Sequence, residues 1–275
     1  MNYRHSYHAG SFSDVFKHLI LSLIIDALEV KEAPFTYLET HAGRGLYWLD
    51  ADEAQKKQEY RFGIERLLAY NKIKPAPACF SRYLNLITSL NFEDHLNCYP
   101  GSPKIAESLL RDDDAMIFCE LHPEEYSVLK ENMDKHDRRI AMHHADAYSS
   151  MKAFLPPKTG RGFVHIDPPF EKTNEFEMIE KALKLALQRW RMGQFMIWYP
   201  IKDRREVERF QHSVTQLQPE SIFIEFFMND TDISSNLMGC GVALVNPPWK
   251  LKERLSDEAL PYLAAALGGR WDIYL

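Results

Sequence analysis

A short run of branched and aromatic side chains recurs seven times along the chain, and segments of helical periodicity separate most of these runs. The runs fall at residues 35–40, 115–120, 140–143, 162–167, 194–199, 221–227 and 241–246, each of strand length. Between them lie helical patterns such as residues 175–191, where Phe176, Ile179, Leu183, Leu187 and Trp190 share one face, and residues 204–217. Alternation of this kind predicts a mostly parallel α/β sheet covered by helices on both faces. The last two runs have no helix-length segment between them, which predicts an antiparallel pair at one edge.

One interval breaks the alternation. The first run ends near Thr40, yet the helix that should lead into the second begins at Gly101-Ser102-Pro103, with Ser102 read as N-cap and Pro103 as the first helical residue. Residues 47–98 therefore read as an inserted helical subdomain, and residues 1–46 with 99–275 as the domain that carries it. The insertion has helical content at 59–70 and 79–90, split by Pro75-Ala76-Pro77, and it carries Lys56, Lys57, Arg61, Arg66, Lys72, Lys74 and Arg82. Such an appendage can grip a polyanionic substrate, or it can be a helical flap with solvated charges.

A net charge of −6 and a pI near 6.0 argue against a protein that coats nucleic acid non-specifically, while leaving room for an enzyme that is basic only locally. The four cysteines, Cys79, Cys98, Cys119 and Cys240, lack C-x-x-C spacing, so neither a zinc site nor a disulfide framework is expected and a reducing cytoplasm fits. His41, His122, His143 and His144 have no accompanying ligand spacing, and no metal is expected. The opening residues are polar and aromatic, unlike a signal peptide. The apolar stretch at 15–28 contains Lys17, His18 and Asp26, is too short to cross a bilayer, and reads as a buried amphipathic helix.

Open α/β sheets bind ligands beyond the carboxyl ends of their strands, where strand order reverses. The first strand runs into Glu39-Thr40-His41-Ala42-Gly43-Arg44-Gly45, whose glycines permit a tight turn against a ligand. The second ends in Glu120, placed either to accept the ribose hydroxyls of an adenosyl group or as a plain surface carboxylate. The third leads to Asp146-Ala147, where the carboxylate can receive an adenine amino group or cap a helix. In that order and spacing the three signals match an S-adenosylmethionine site. A third glycine is missing after Gly43 and Gly45, so the dinucleotide fingerprint is absent and a pyrophosphate cradle is disfavoured.

The fourth strand runs straight into Asp167-Pro168-Pro169-Phe170. An amino group conjugated to a purine is a poor nucleophile. A carboxylate and a backbone carbonyl that accept its two hydrogens bias the nitrogen toward sp3 geometry and stabilise the charge that grows during attack. Asp167 would supply the first acceptor and the Pro168 carbonyl the second, with Phe170 as a π face for the extruded base. The bland reading of the same tetrapeptide is a proline-stiffened loop after a buried strand. A second tetrapeptide, Asn246-Pro247-Pro248-Trp249, fits the same pattern, but an antiparallel seventh strand would deliver it to the opposite rim of the sheet. Lys202, Arg204, Arg205 and Arg209 can meet phosphates or form a solvated helix face.

Taken together, YRHSYHAGSFSDVFKH at the start, THAGRG, YPGSP, ELHP, HIDPPF, WYP and a late NPPWK resemble the large-subunit ribosomal RNA adenine-N6 methyltransferases, which modify one 23S adenine in domain V. The similarity extends over nearly the whole chain. It implies a class I methyltransferase fold, Rossmann-like, with seven strands, mostly parallel and the last antiparallel, around the inserted subdomain. It further implies that His18, His41, Ser102, Glu120, Asp146 with Ala147, and Asp167 join the Gly43 turn in lining the cofactor site, with Asp167 as proton acceptor. Tyr3 and Lys17 are implied to reach the reactive centre. The implied partner is 23S rRNA, protein-free or in early assembly, met by a cytoplasmic monomer. Phe170 stands where the family often has Tyr, so stacking is retained and a hydroxyl contact is not. Two rivals share the chemistry: a DNA adenine-N6 methyltransferase, for which a separate target-reading domain is wanting, and a protein glutamine N5 methyltransferase, which would favour Asn over Asp in the tetrapeptide.

Overall fold

The apolar runs pair into a sheet whose direction of growth reverses beside the first strand. In the computed structural model, which describes residues 4–92, 95–229, 237 and 239–275, the strands in chain order are β1 (Thr36–Glu39), β2 (Leu46–Trp48), β3 (Cys98–Pro100), β4 (Ala115–Glu120), β5 (Ile140–His144), β6 (Gly162–Ile166), β7 (Gln194–Pro200), β8 (Ile222–Met228), β9 (Gly239–Val245) and β10 (Gly269–Tyr274). The helices are α1 (Phe12–Glu29), α2 (Asp52–Lys57), α3 (Ile64–Ile73), α4 (Ser81–Leu90), α5 (Ser102–Leu109), α6 (Pro123–Asn132), α7 (Ala147–Phe154), α8 (Glu175–Arg189), α9 (Arg204–Leu217), α10 (Leu251–Arg254) and α11 (Leu260–Leu267). Eight strands form one sheet in the order β10-β8-β9-β7-β6-β1-β4-β5. β5, β4, β1, β6 and β7 are mutually parallel, while β9 runs antiparallel to both β7 and β8. This is the mostly parallel class I methyltransferase sheet, and its switch point lies between β1 and β6.

Two details differ from the sequence reading. The sheet has an eighth strand, β10, which pairs antiparallel with β8 and takes the edge expected for the β8–β9 pair. Its sequence, GRWDIY, offers only Trp271 and Ile273 to the core and turns Arg270 and Asp272, an ion pair at 3.0 Å, the other way. A half-polar edge strand of this kind lacks an apolar run. The helix read as buried and amphipathic is buried as expected, but on nearly every side rather than one, because α1 lies between the sheet and α4, α5 and α10. Ser11 caps it, accepting the Asp14 backbone N–H at 3.4 Å.

The first core packs α1, α4, α5 and α11 on one face of the sheet, and the second packs α7, α8 and α9 on the other. β2 and β3 pair antiparallel with Tyr47 opposite Tyr99, so the ends of the segment between them meet. Within that segment Arg82 is committed internally, donating to Asp26 at 2.7 Å, Glu29 at 2.6 Å and the Leu109 carbonyl, and Arg66 donates to the Leu267 carbonyl at 3.1 Å. Both side chains are engaged by partners outside the segment. Among the described residues no helix is long and apolar enough to cross a membrane.

Candidate active site

The carboxyl ends of β1, β4, β5 and β6 open into one cavity, and it is lined by Lys17, His18, His41, Gly43, Ser102, Glu120, Asp146, Ala147 and Asp167. Pro168 and Phe170 line a second hollow of about 500 Å³, with Trp198, Pro200, Lys57 and Lys202. The two spaces meet at His5, Lys17, Asp167, Pro169 and Glu171, which line both. Tyr3 lies outside the described residues.

Several side chains hold the first cavity through hydrogen bonds that the sequence did not disclose. Glu120 accepts the Gly43 N–H at 2.8 Å on one oxygen and the His122 N–H at 2.7 Å on the other, so it ties the glycine turn to the end of β4. Gly43 has φ +60°, and a Cβ there would stand 2.5 Å from the Tyr47 hydroxyl. Burial pushes the Glu120 carboxyl above its ordinary pKa, with the two N–H donors opposing. Each carboxylate oxygen has room for a further donor. Asp146 is the N-cap of α7, accepting the Ser149 N–H at 3.0 Å, so the capping reading holds and the residue still lines the cavity. Ser102 is not the cap of α5. Gly101 takes that position, and the Ser102 hydroxyl donates to the fully buried Glu39 carboxylate. Glu39 also accepts the Tyr37 hydroxyl at 3.0 Å, and Tyr37 lies 3.0 Å from His165 Nδ1, in a buried polar cluster.

Two of the four histidines that line the cavity, His41 and His18, are neutral at pH 7. Burial pulls His41 down to about 4, and its Nδ1 lies 2.9 Å from the Thr40 hydroxyl. Burial, then the neighbouring Lys17 ammonium, pushes His18 well below the ordinary histidine range, and its Nδ1 lies 2.8 Å from the hydroxyl of the stacked Tyr99.

At the junction of the spaces a single ammonium bridges two carboxylates. Lys17 Nζ lies 2.6 Å from Asp167 Oδ2 and 3.1 Å from Asp14 Oδ1. Asp14, one turn before Lys17 on α1, also accepts the Gly10 N–H at 3.0 Å and faces His5 Nε2 at 2.9 Å. Burial alone would raise both carboxyls, yet His5 and Lys17 hold Asp14 well below the usual range, and Lys17 with His165 holds Asp167 below it. Both are therefore carboxylates at neutral pH. Asp14 and His5 escaped the sequence reading. The available signal was the three-residue spacing of Asp14 and Lys17 on one helical face.

Phe170 adopts φ +50°, a left-handed conformation that a bulky side chain rarely takes. Its ring meets Phe176 and Trp198 edge-on, with centroids 5.0 and 5.8 Å away. Of the basic residues after β7, Arg204 is engaged by the buried Glu225 at 2.5 Å, whereas Lys202 faces the second hollow. Asn246 sits at the far rim, after the β9 residue that pairs with Phe195 near the start of β7. Its amide donates to the carbonyls of Arg191 at 3.0 Å and Gly193 at 2.7 Å and accepts from Gln218 at 2.6 Å.

A family model described as "Ribosomal RNA large subunit methyltransferase D, RlmJ" matches residues 32–272. The chain is 36% identical over 268 residues to ribosomal RNA large subunit methyltransferase J of Escherichia coli, an alignment covering 97% of this chain and 94% of that protein. It is also 36% identical over 279 residues to the protein of the same name from Haemophilus influenzae, covering 99% and 98%. The crystal structure of a Legionella pneumophila protein superposes with a TM-score of 0.89 at 32% identity, covering 97% of this chain and 98% of the other.

Proposed function

Because the chain belongs to the RlmJ family of ribosomal RNA large subunit methyltransferases, we propose that it transfers a methyl group from S-adenosylmethionine to the exocyclic N6 of an adenine in 23S rRNA. The observation that carries this reading is the junction of two cavities at an ionised carboxylate, Asp167.

The first cavity fits an adenosyl sulfonium by the chemistry of its donor set. Glu120 retains acceptor capacity for vicinal ribose hydroxyls, Asp146 offers a carboxylate to an adenine amine, and His41 and His18 carry no opposing charge. The tight Gly43 turn keeps that wall free of a side chain. When bound, S-adenosylmethionine supplies an electrophilic methyl carbon. The second hollow takes the target base, with Phe170 and Trp198 as aromatic walls. Asp167 and the Pro168 carbonyl accept the two N6 hydrogens, and Asp167 then takes the proton released when the methylated amine returns to neutrality. Lys17 keeps Asp167 charged and oriented before the base arrives. The protein's main contribution is orientation of the two reactants.

The helical segment at 47–98 is in this reading an inserted subdomain that helps hold RNA, with Lys57 at the lip of the acceptor hollow. Four free, buried cysteines fit a reducing cytoplasm. The experiment is mass mapping of adenine methylation in 23S rRNA from cells with and without the gene. One adenine losing its methyl mark on deletion, and regaining it on incubation with purified protein and methyl donor, is the expected result. An unchanged rRNA map with methylation appearing on DNA or on a glutamine would replace the substrate named here.

A further inference from the structure

The second tetrapeptide lies away from the reactive centre, yet its loop is held in an uncommon conformation. Asn246 and Lys250 adopt φ +52° and +61°, in the left-handed region that favours glycine. Two prolines between them fix their own φ, and the three hydrogen bonds of Asn246 anchor the loop to the start of β7 and the end of α9. The outcome is a rigid loop that leaves Trp249 82% exposed, with Lys250 Nζ 4.2 Å from its ring centroid.

Trp249 borders a hollow of about 530 Å³ together with Val30 and Met192, which are 84% and 74% exposed. Lys31, Arg161, Lys250 and Arg254 line the same hollow, and among the described residues Asp26 is its only carboxylate. Arg254 pairs with Asp26 at 2.9 Å. The Arg161 guanidinium rests on the carbonyls of Leu28 and Ala33, which do not neutralise it. A chain of net charge −6 thus gathers uncompensated cations around an exposed indole.

We propose that this hollow binds an unpaired stretch of substrate RNA remote from the target adenine, with Trp249 stacking on a base and Lys31, Arg161 and Lys250 meeting the flanking phosphates. The inference rests on the RNA-methyltransferase reading above. β7 connects the two places, with Gln194 at this hollow and Pro200 at the acceptor hollow. At about 3.3 Å per residue they lie roughly 20 Å apart. Only an RNA longer than that reaches both. A second copy of the chain fits less well, since a two-fold interface would set this basic patch against itself.

The test uses full-length protein, a 23S rRNA transcript containing the target, and an adenine-containing trinucleotide that spans only the acceptor hollow. Trp249→Ala should weaken transcript binding about 10-fold, within the range for losing one base stack, while Trp249→Phe keeps most of it. Lys31→Glu with Lys250→Glu should lower the slope of log Kd against log salt by about 0.7 for each phosphate that is no longer neutralised. The KM for transcript should rise with kcat and trinucleotide methylation unchanged. Unaltered transcript affinity in both the Ala and the charge-reversal variants overturns the platform and leaves the methyltransferase reading standing. No methylation of transcript by the wild type overturns both. Altered sedimentation of the RNA-free protein on Trp249→Ala would assign the patch to a second copy and also overturn the proposal.

Discussion

Replacing Lys17 with Met keeps an unbranched stem of similar length in α1 and removes the ammonium that lies between Asp14 and Asp167. Both carboxyls are held below their ordinary range, so in the wild type their pairing stabilises the fold above the unfolded carboxyl pKa of about 4 and is lost as pH falls through the lower folded values. In Lys17→Met burial opposes ionisation with less to offset it: His5 still faces Asp14, and His165 still acts on Asp167. Loss of an opposite charge at this distance raises a carboxyl by about 1–3 units. Leaving one partner of a buried pair uncompensated costs about 3–5 kcal/mol at neutral pH. Because the two carboxyls now titrate at higher pH than in the wild type, the deficit should shrink as pH falls through their new range. The assay is single-turnover methyl transfer to 23S rRNA from pH 5 to 9, beside denaturant melts over the same range. The wild-type rate should be level through the acid half, whereas the variant should lose rate about tenfold per pH unit below its new Asp167 pKa. A variant profile with the wild-type shape, or a stability deficit indifferent to pH, would refute the claim that Lys17 keeps Asp167 charged.

Glu120→Ala should weaken S-adenosylmethionine binding by about 1.5–3 kcal/mol, the range for hydrogen bonds to a charged acceptor, and calorimetry that finds unchanged affinity removes Glu120 from the site. Asp167→Ala should cut methyl transfer at least about 100-fold while cofactor affinity stays within a few-fold. Asn246→Ala should lose about 2–4 kcal/mol of stability, since three hydrogen bonds go and two carbonyls are left unpaired, while the folded fraction keeps its kcat. Rapid-quench rates normalised to folded protein separate these two variants, and an essential Asn246 beside a dispensable Asp167 would reverse the mechanism.

The central sheet was legible because strands buried on both faces are mostly apolar, as β6 is at Phe163, Val164 and Ile166. β10 was not, because its partner is supplied by β8 and its outer face is charged. The same division runs through the site. Glu120, Asp146 and Asp167 could be located because each ends or follows a parallel strand, where topology alone directs a side chain toward the crevice. Asp14 and His5 lie at the start of the chain, and their bearing on Asp167 exists only once α1 has brought Lys17 to Asp167, just after β6. Ser102 marks the limit of local rules. Its sequence context gives a good N-cap, but the fold places the buried carboxyl of Glu39 within reach of its hydroxyl, which donates there instead.

The two proline tetrapeptides show why a motif acquires chemistry only from its surroundings. Each follows a strand, and each contains a residue at positive φ, Phe170 in one and Asn246 in the other. The Asn246 amide has committed both donor hydrogens and its oxygen to Arg191, Gly193 and Gln218, so it has little left to offer a substrate. Asp167 gives one oxygen to Lys17 and keeps acceptor capacity on the other, in a site where two cavities meet. Strand direction decides the assignment, because β6 runs toward the switch point and β9 runs away from it. On the proposed mechanism the first loop therefore carries an acceptor still able to take the hydrogens of an amine. The second has spent its polar capacity on rigidity, and what it presents to solvent is the indole of Trp249.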